Sequence, residues 1–168
     1  VPFTVSFNSH TCRRSVLFFP LVGFVLGWLL LLGSFAFTAV LPPLASAVLL
    51  TAIWIAFSGG LHLDGWIDTA DGMFSHRSRD RILDIMRDSR VGAMGVIAAI
   101  MALLLKVSLV HAILSTGIEL FAFYIVLVPV WSRWFMVTAI AVWPGASRNG
   151  VGTLFAEVRL SDACASFI

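Results

Sequence analysis

The chain has 168 residues, 60% of them hydrophobic and only 12% charged, with a formal net charge of +2. Charge at about half the share usual for a soluble domain excludes an ordinary water-soluble globule, and so small a positive surplus gives no general attraction to nucleic acid. The expected class is all-α: a polytopic transmembrane helical bundle of about four spans, a single integral-membrane domain over residues 1–168 with the lipid bilayer as its surroundings.

The first span is expected over residues 16–41, "VLFFPLVGFVLGWLLLLGSFAFTAVL". Arg13 and Arg14 precede it, but the run is too long for the core of a signal peptide and has no clear small-residue cleavage site. Pro42 and Pro43 break it, because proline lacks the N–H and clashes with the preceding turn. A second span is expected over 44–61, short for a crossing unless the turn after it lengthens it. A third covers 91–114 and a fourth 118–143, ended by Pro144 and Gly145. The chain opens on Val1 and closes on "RLSDACASFI", ends that read as those of a fragment missing the C-terminal part of a longer domain. Cys12 and Cys164 form no metal-binding spacing and read as free thiols.

Charge is gathered between the second and third spans. "GGLHLDGWIDTADGMFSHRSRDRILDIMRDSR", positions 59–90, holds six of the nine acidic residues and five of the eleven basic ones. With four crossings, Arg13, Arg14, Arg77, Arg79, Arg81, Arg87, Arg90, Arg148 and Arg159 all fall on one side, and the opposite turns near Pro42 and Ser115 carry no Lys or Arg. The positive-inside rule then puts the N-terminus and the acidic motif, 59–92, in the cytoplasm. Lys106 and Arg133 lie deep in the third and fourth spans, where charge is costly and faces a bundle interior or a wet cavity; each is open between a structural pairing and a substrate contact. His111 is expected in the interface at the far end of the third span.

Within the motif, Asp64, Asp68 and Asp71 are spaced i, i+4, i+7, and Asp80, Asp84 and Asp88 are spaced i, i+4, i+8, so that each set lines one face of a helix. "GMFSHRS" reads as a turn between them, which predicts two helix ends with carboxylate faces turned toward each other. Like charges this close repel and raise one another's pKa, and a divalent cation relieves that best. Oxygen-only donors favour Mg²⁺, Mn²⁺ or Ca²⁺ over zinc or copper, and His62 and His76 are too few and poorly spaced for a zinc site. The competing reading is a solvated loop of Asp–Arg surface pairs. Against it stand the helical repeats and the glycines at 59, 60, 65, 72, 92 and 95, which permit close backbone approach to a ligand. Mg²⁺ held by a few carboxylates completes its shell with water and phosphates, two such ions can clamp displacement at phosphorus, and guanidinium groups bind phosphate oxygens in pairs. The residues therefore point to metal-dependent transfer of a phosphate-linked group, with a carboxylate able to take the proton from an attacking hydroxyl.

The stretch "GGLHLDGWIDTADGMFSHRSRDRILDIMRDSRVGAMG" closely resembles the signature of the cobalamin synthase family, the adenosylcobinamide-GDP ribazoletransferases. "FFPLVGFVLG", "WSRWFMV" and "PGASRNGVGTLFAEV" are similar to other segments of that family, so the likeness runs to about Val158. It implies a multi-pass enzyme of the cell inner membrane, in the last steps of cobalamin biosynthesis. That enzyme uses Mg²⁺ to join adenosylcobinamide-GDP to α-ribazole or its 5′-phosphate, forming adenosylcobalamin or its phosphate and releasing GMP. The ribazole hydroxyl, or its phosphate, would attack the phosphorus bonded to cobinamide. The segment also resembles the CDP-alcohol phosphotransferase motif, DxxDGxxAR then GxxxDxxxD. By that likeness Asp68, Asp71, Asp84 and Asp88 would bind metal, with Asp84 and Asp88 the catalytic carboxylates and Asp88 the alternative base. Asp64, Gly65, Gly72, Arg77, Arg81, Arg87 and Arg90 would position substrate phosphates. Ser75-His76 stands where that motif has Ala-Arg, Asp80 where it has glycine, and the gap between halves is about five residues shorter. The alternatives are a CDP-alcohol phosphotransferase of lipid synthesis, a non-catalytic membrane subunit, and, more weakly, an intramembrane prenyltransferase. Oligomeric state is open, a homo-oligomer included.

Overall fold

The computed structural model describes residues 8–143, 145 and 151–166; Pro144 and Arg148 lie outside the described residues. Eight α-helices and no strand are found among them: α1 (Ser9–Ser15), α2 (Phe19–Thr38), α3 (Pro43–Phe57), α4 (Leu61–Phe74), α5 (Arg79–Ile85), α6 (Ala93–Leu114), α7 (Ile118–Val142) and α8 (Leu160–Ala165). Short 3₁₀ turns occupy Val16–Phe18 and Val151–Phe155. The continuous helical stretch Ser9–Thr38, α6 and α7 are each long and apolar enough to cross a membrane. A fourth crossing is reached if α3 and α4, bent by 88° at their junction, count as one broken span. The expectation of about four spans holds in this form, with the second span differing most from its sequence reading. At 15 residues, α3 is about 22 Å long, short of a hydrocarbon core of about 30 Å.

The helix ends follow local chemistry. Pro42, in extended conformation, precedes α3, and Pro43 starts it, where a missing N–H costs nothing. Gly59 and Gly60 both have left-handed backbone angles, φ 65° and 70°, and this consecutive pair turns the chain sharply from α3 into α4. Leu104, Leu105 and Leu109 of α6 are exposed, as a lipid-facing stripe requires.

The chain divides into two compact units, Val1–Leu31 with Ala122–Ile168, and Leu32–Phe121. In the first, Val16, Val137, Val158 and Ala163 form a buried cluster, with Phe19, Ile140, Ala141 and Phe155 packed on it. Gly23 and Gly27 let α2 meet the backbone of α7. A Cβ on Gly23 would stand 2.5 Å from the Pro129 carbonyl oxygen, and one on Gly27 2.6 Å from Val126 Cα. Arg13 binds Asp162 through two hydrogen bonds, of 2.8 and 3.1 Å, and the Trp134 indole N–H donates to the Ala163 carbonyl at 3.1 Å. In the second unit, α6 packs along both α3 and α4, and α5 packs on α4.

Candidate metal and phosphate site

The acidic motif occupies α4, α5 and the link into α6. On α4 the spacing of Asp64, Asp68 and Asp71 places all three on one side of the helix, as its periodicity demands. The neighbouring flank is apolar and seats on α6. Ala70 is buried, Ile67 reaches the place a Gly95 Cβ would fill, and the Trp66 indole N–H donates to the Ala98 carbonyl at 3.1 Å. Burial, then the charges of Asp64 and Asp71, push the Asp68 carboxyl above its ordinary range. The predicted mutual repulsion is therefore present on α4.

Asp71 sits where this acidic stripe meets α6. Its Oδ2 accepts the Gly92 N–H at 2.7 Å and its Oδ1 accepts the Gly95 N–H at 2.7 Å. Those amides belong to the first turn of α6, where helix N–H groups have no partner within the helix, so a residue of α4 caps α6 from outside.

The second acidic set is arranged differently from the face-to-face expectation. Ile82 and Met86, not Asp84, turn toward α4: a Cβ on Gly72 would meet Met86 Cγ at 2.9 Å and Ile82 Cγ2 at 3.1 Å. Burying Ile and Met against a glycine is favourable, whereas burying unpaired carboxylates is not, so the apolar edge of α5 takes the contact. Asp84 is exposed and lies 3.7 Å from Arg81. The helix stops at Ile85, so Asp88 lies beyond it and off the expected i, i+4, i+8 face. There the Arg90 guanidinium donates to Asp88 at 3.0 Å and the Arg90 backbone N–H at 3.1 Å; together they hold its carboxyl down to about 2. Arg77, Arg81, Arg87 and Arg90 are all exposed, and Gly65 opens onto free space.

Among the described residues no three His, Cys, Asp or Glu side chains converge on one point. The donor set still fits a hard cation of the Mg²⁺ type, which takes one or two protein carboxylates and fills its remaining positions with water and phosphate oxygens. Asp68, which carries the like-charge burden, is the residue such an ion would relieve most.

Deeper in the second unit, Lys106 lies with its Nζ 3.8 Å over the Trp54 ring, a cation–π contact. Trp54 is the partner that sequence reasoning did not name. The i to i+3 and i+4 rules relate residues of one helix, and this pair joins α3 to α6. In the sequence Gly92 and Gly95 stand only as glycines near acids; their partner is the Asp71 carboxylate.

The family model for cobalamin-5-phosphate synthase matches residues 1–168. Curated relatives named adenosylcobinamide-GDP ribazoletransferase include that of Brevibacillus brevis, 43% identical over 96% of this chain and 65% of the relative. That of Desulfitobacterium hafniense is 38% identical over 89% of this chain and 59% of the relative, and that of Desulforamulus reducens 45% identical over 85% and 56%. The chain thus spans about three fifths of the length of the curated relatives it matches. No solved structure matches.

Proposed function

Because the chain belongs to the cobalamin-5-phosphate synthase family, we propose that it forms the membrane and metal-binding part of an enzyme joining adenosylcobinamide-GDP to α-ribazole or its 5′-phosphate, with release of GMP. The products are adenosylcobalamin or its 5′-phosphate. In this reading a ribazole hydroxyl forms the new bond to the phosphorus attached to cobinamide, the bond from that phosphorus to the GMP oxygen breaks, and the hydroxyl proton passes to a carboxylate. The enzyme works in the cell inner membrane, with its N-terminus and acidic motif toward the cytoplasm. The observation that carries the reading is the acidic stripe of α4, where burial and then the charges of Asp64 and Asp71 bear on Asp68, in a motif whose arginines are exposed.

In this reading Asp68 and Asp71 would hold Mg²⁺, with Asp64 and Asp84 as the further acidic residues of the motif, and the ion would neutralise pyrophosphate charge. Gly65 and Gly72, seven residues apart, leave one face of α4 free of side chain, open at Gly65 and closed by Ile82 and Met86 at Gly72. Arg77, Arg81, Arg87 and Arg90 bind phosphate oxygens, a task suited to exposed guanidinium groups. Asp88 held near 2 is a weak base while Arg90 grips it. If Arg90 transfers to a substrate phosphate, Asp88 becomes more basic at the moment a proton must be taken; otherwise the base is Asp84. GMP release from adenosylcobinamide-GDP by the full-length protein in lipid tests the proposal. Release that needs both Mg²⁺ and α-ribazole is the expected result, and release of CMP from a CDP-alcohol instead would favour the lipid-synthesis alternative.

A further inference from the structure

Asp71 points both carboxylate oxygens at backbone N–H groups of another helix, and two glycines make room for it. A Cβ on Gly92 would come within 2.5 Å of Asp71 Oδ1, and one on Gly95 would overlap Asp71 Oδ2 and crowd Ile67 Cγ2 at 2.7 Å. The space beside Gly92 is thus filled by the Asp71 carboxylate, and that beside Gly95 by the same carboxylate with Ile67. The two accepted bonds, each 2.7 Å, come from the N-terminal edge of a 22-residue helix, whose partial positive charge favours an anion. A carboxylate offers about four lone-pair positions, so two remain on Asp71 for another partner. The same helix face that seats Asp71 also seats Ile67 and, one turn further, the Trp66 indole, so the carboxylate and the helix that carries it are fixed together.

We propose that Gly92 and Gly95 are positioning residues for the metal: their amides and their missing side chains aim Asp71 so that its free lone pairs join the acidic stripe of α4. This rests on the reading of Asp71 as a cation ligand. Oxygens of ligating carboxylates are generally held by an outer shell of hydrogen bonds, and loss of such a partner typically costs about 10–100-fold in metal affinity. Here the outer shell is main chain, so side-chain motifs do not reveal it, and a bulkier residue removes it by displacement rather than by deletion.

The test uses the full-length protein in detergent, with Mg²⁺ as the probe. Thermal stability is followed against Mg²⁺ concentration, and amide hydrogen exchange of the first turn of α6 is followed without metal, for wild type, Gly95→Ala, Gly92→Ala and Gly33→Ala. Gly33 is the control, since a Cβ there meets only ordinary contact with Leu50 and Phe37 side chains. The expected result is faster exchange at 92–96 in both cradle variants and a Mg²⁺ midpoint raised roughly 10–100-fold, with Gly33→Ala unchanged. Alanine is intrinsically the better helix former, so a loss at Gly95 cannot come from helix propensity. Should exchange speed up while the midpoint stays put, the glycines are purely structural and the proposal is overturned. Wild-type protein that gains no stability from Mg²⁺ overturns the cation reading itself, and that failure is recognised because the exchange contrast persists. If Gly95→Ala is too unstable to purify, Gly92→Ala, at the helix edge, carries the same two readouts.

Discussion

Two helix junctions in this chain are built from paired glycines, and they use them for opposite ends. In the first unit Gly23 and Gly27, four residues apart, bring α2 against the bare backbone of α7 at Val126 and Pro129. In the second unit Gly92 and Gly95 admit the carboxylate of Asp71 to the start of α6. Lipid offers no hydrophobic drive for helices to associate, so close packing through small residues supplies the contact at the first junction. At the second, the same lack of side chain serves charge: amides that would otherwise lack partners hold an anion in a fixed direction. A glycine pair by itself is therefore ambiguous, and what approaches it decides its role.

That contrast can be broken experimentally. The largest effect is expected from Asp68→Asn in the full-length protein, which should lower GMP release by roughly 100-fold or more, beyond the loss typical of a merely outer-shell partner. The same change should raise metal-free thermal stability, because it removes a partly buried charge and with it the repulsion from Asp64 and Asp71; a fall in both would mean that Asp68 is a structural residue. Next comes Gly27→Leu, which drives a side chain into the α7 backbone. It should cost about 1–3 kcal/mol or more in unfolding free energy, measured by denaturant titration in detergent, and leave the Mg²⁺ midpoint alone. Asp71→Ala, measured with metal chelated, should cost about 1–2 kcal/mol, the scale of a lost N-cap, and expose the first turn of α6 to exchange. The smallest effect belongs to the Arg13–Asp162 pair. Arg13 holds the Asp162 carboxyl below its ordinary 3.8, so the pair's contribution is complete above that value and is lost as pH falls through the depressed one. Asp162→Asn should therefore lower the melting temperature slightly at neutral pH, with the difference from wild type vanishing in acid, so that the acid limb below about pH 4 is flatter.

Much of this was legible in the residues, because it depends on local rules. The proline pair at 42–43 marks a helix start, the apolar runs mark spans, and the period of Asp64, Asp68 and Asp71 marks one helix face. The helices α6 and α7 fall within two residues of the apolar runs 91–114 and 118–143, where nothing competes with the helix except Pro129, which α7 carries through. What escaped was tertiary. The pattern of "RDRILDIMRDS" is equally compatible with its acidic or its apolar edge facing α4, and the choice was made by Gly72, which receives Ile82 and Met86. A periodicity argument also cannot say where α5 stops, and its end at Ile85 takes Asp88 off the helix and into the grip of Arg90. The Asp71 cap lies 21 and 24 residues away in sequence from the amides it binds, a separation at which no spacing rule operates. The matching of Lys106 with Trp54 was hidden for the same reason.

The right-angle elbow at Gly59 and Gly60 has a consequence for the direction of the acidic row. An 88° bend turns α4 across the axis of α3, so Asp64, Asp68 and Asp71 run crosswise to that helix. A side chain that closed either left-handed glycine would swing all three carboxylates together.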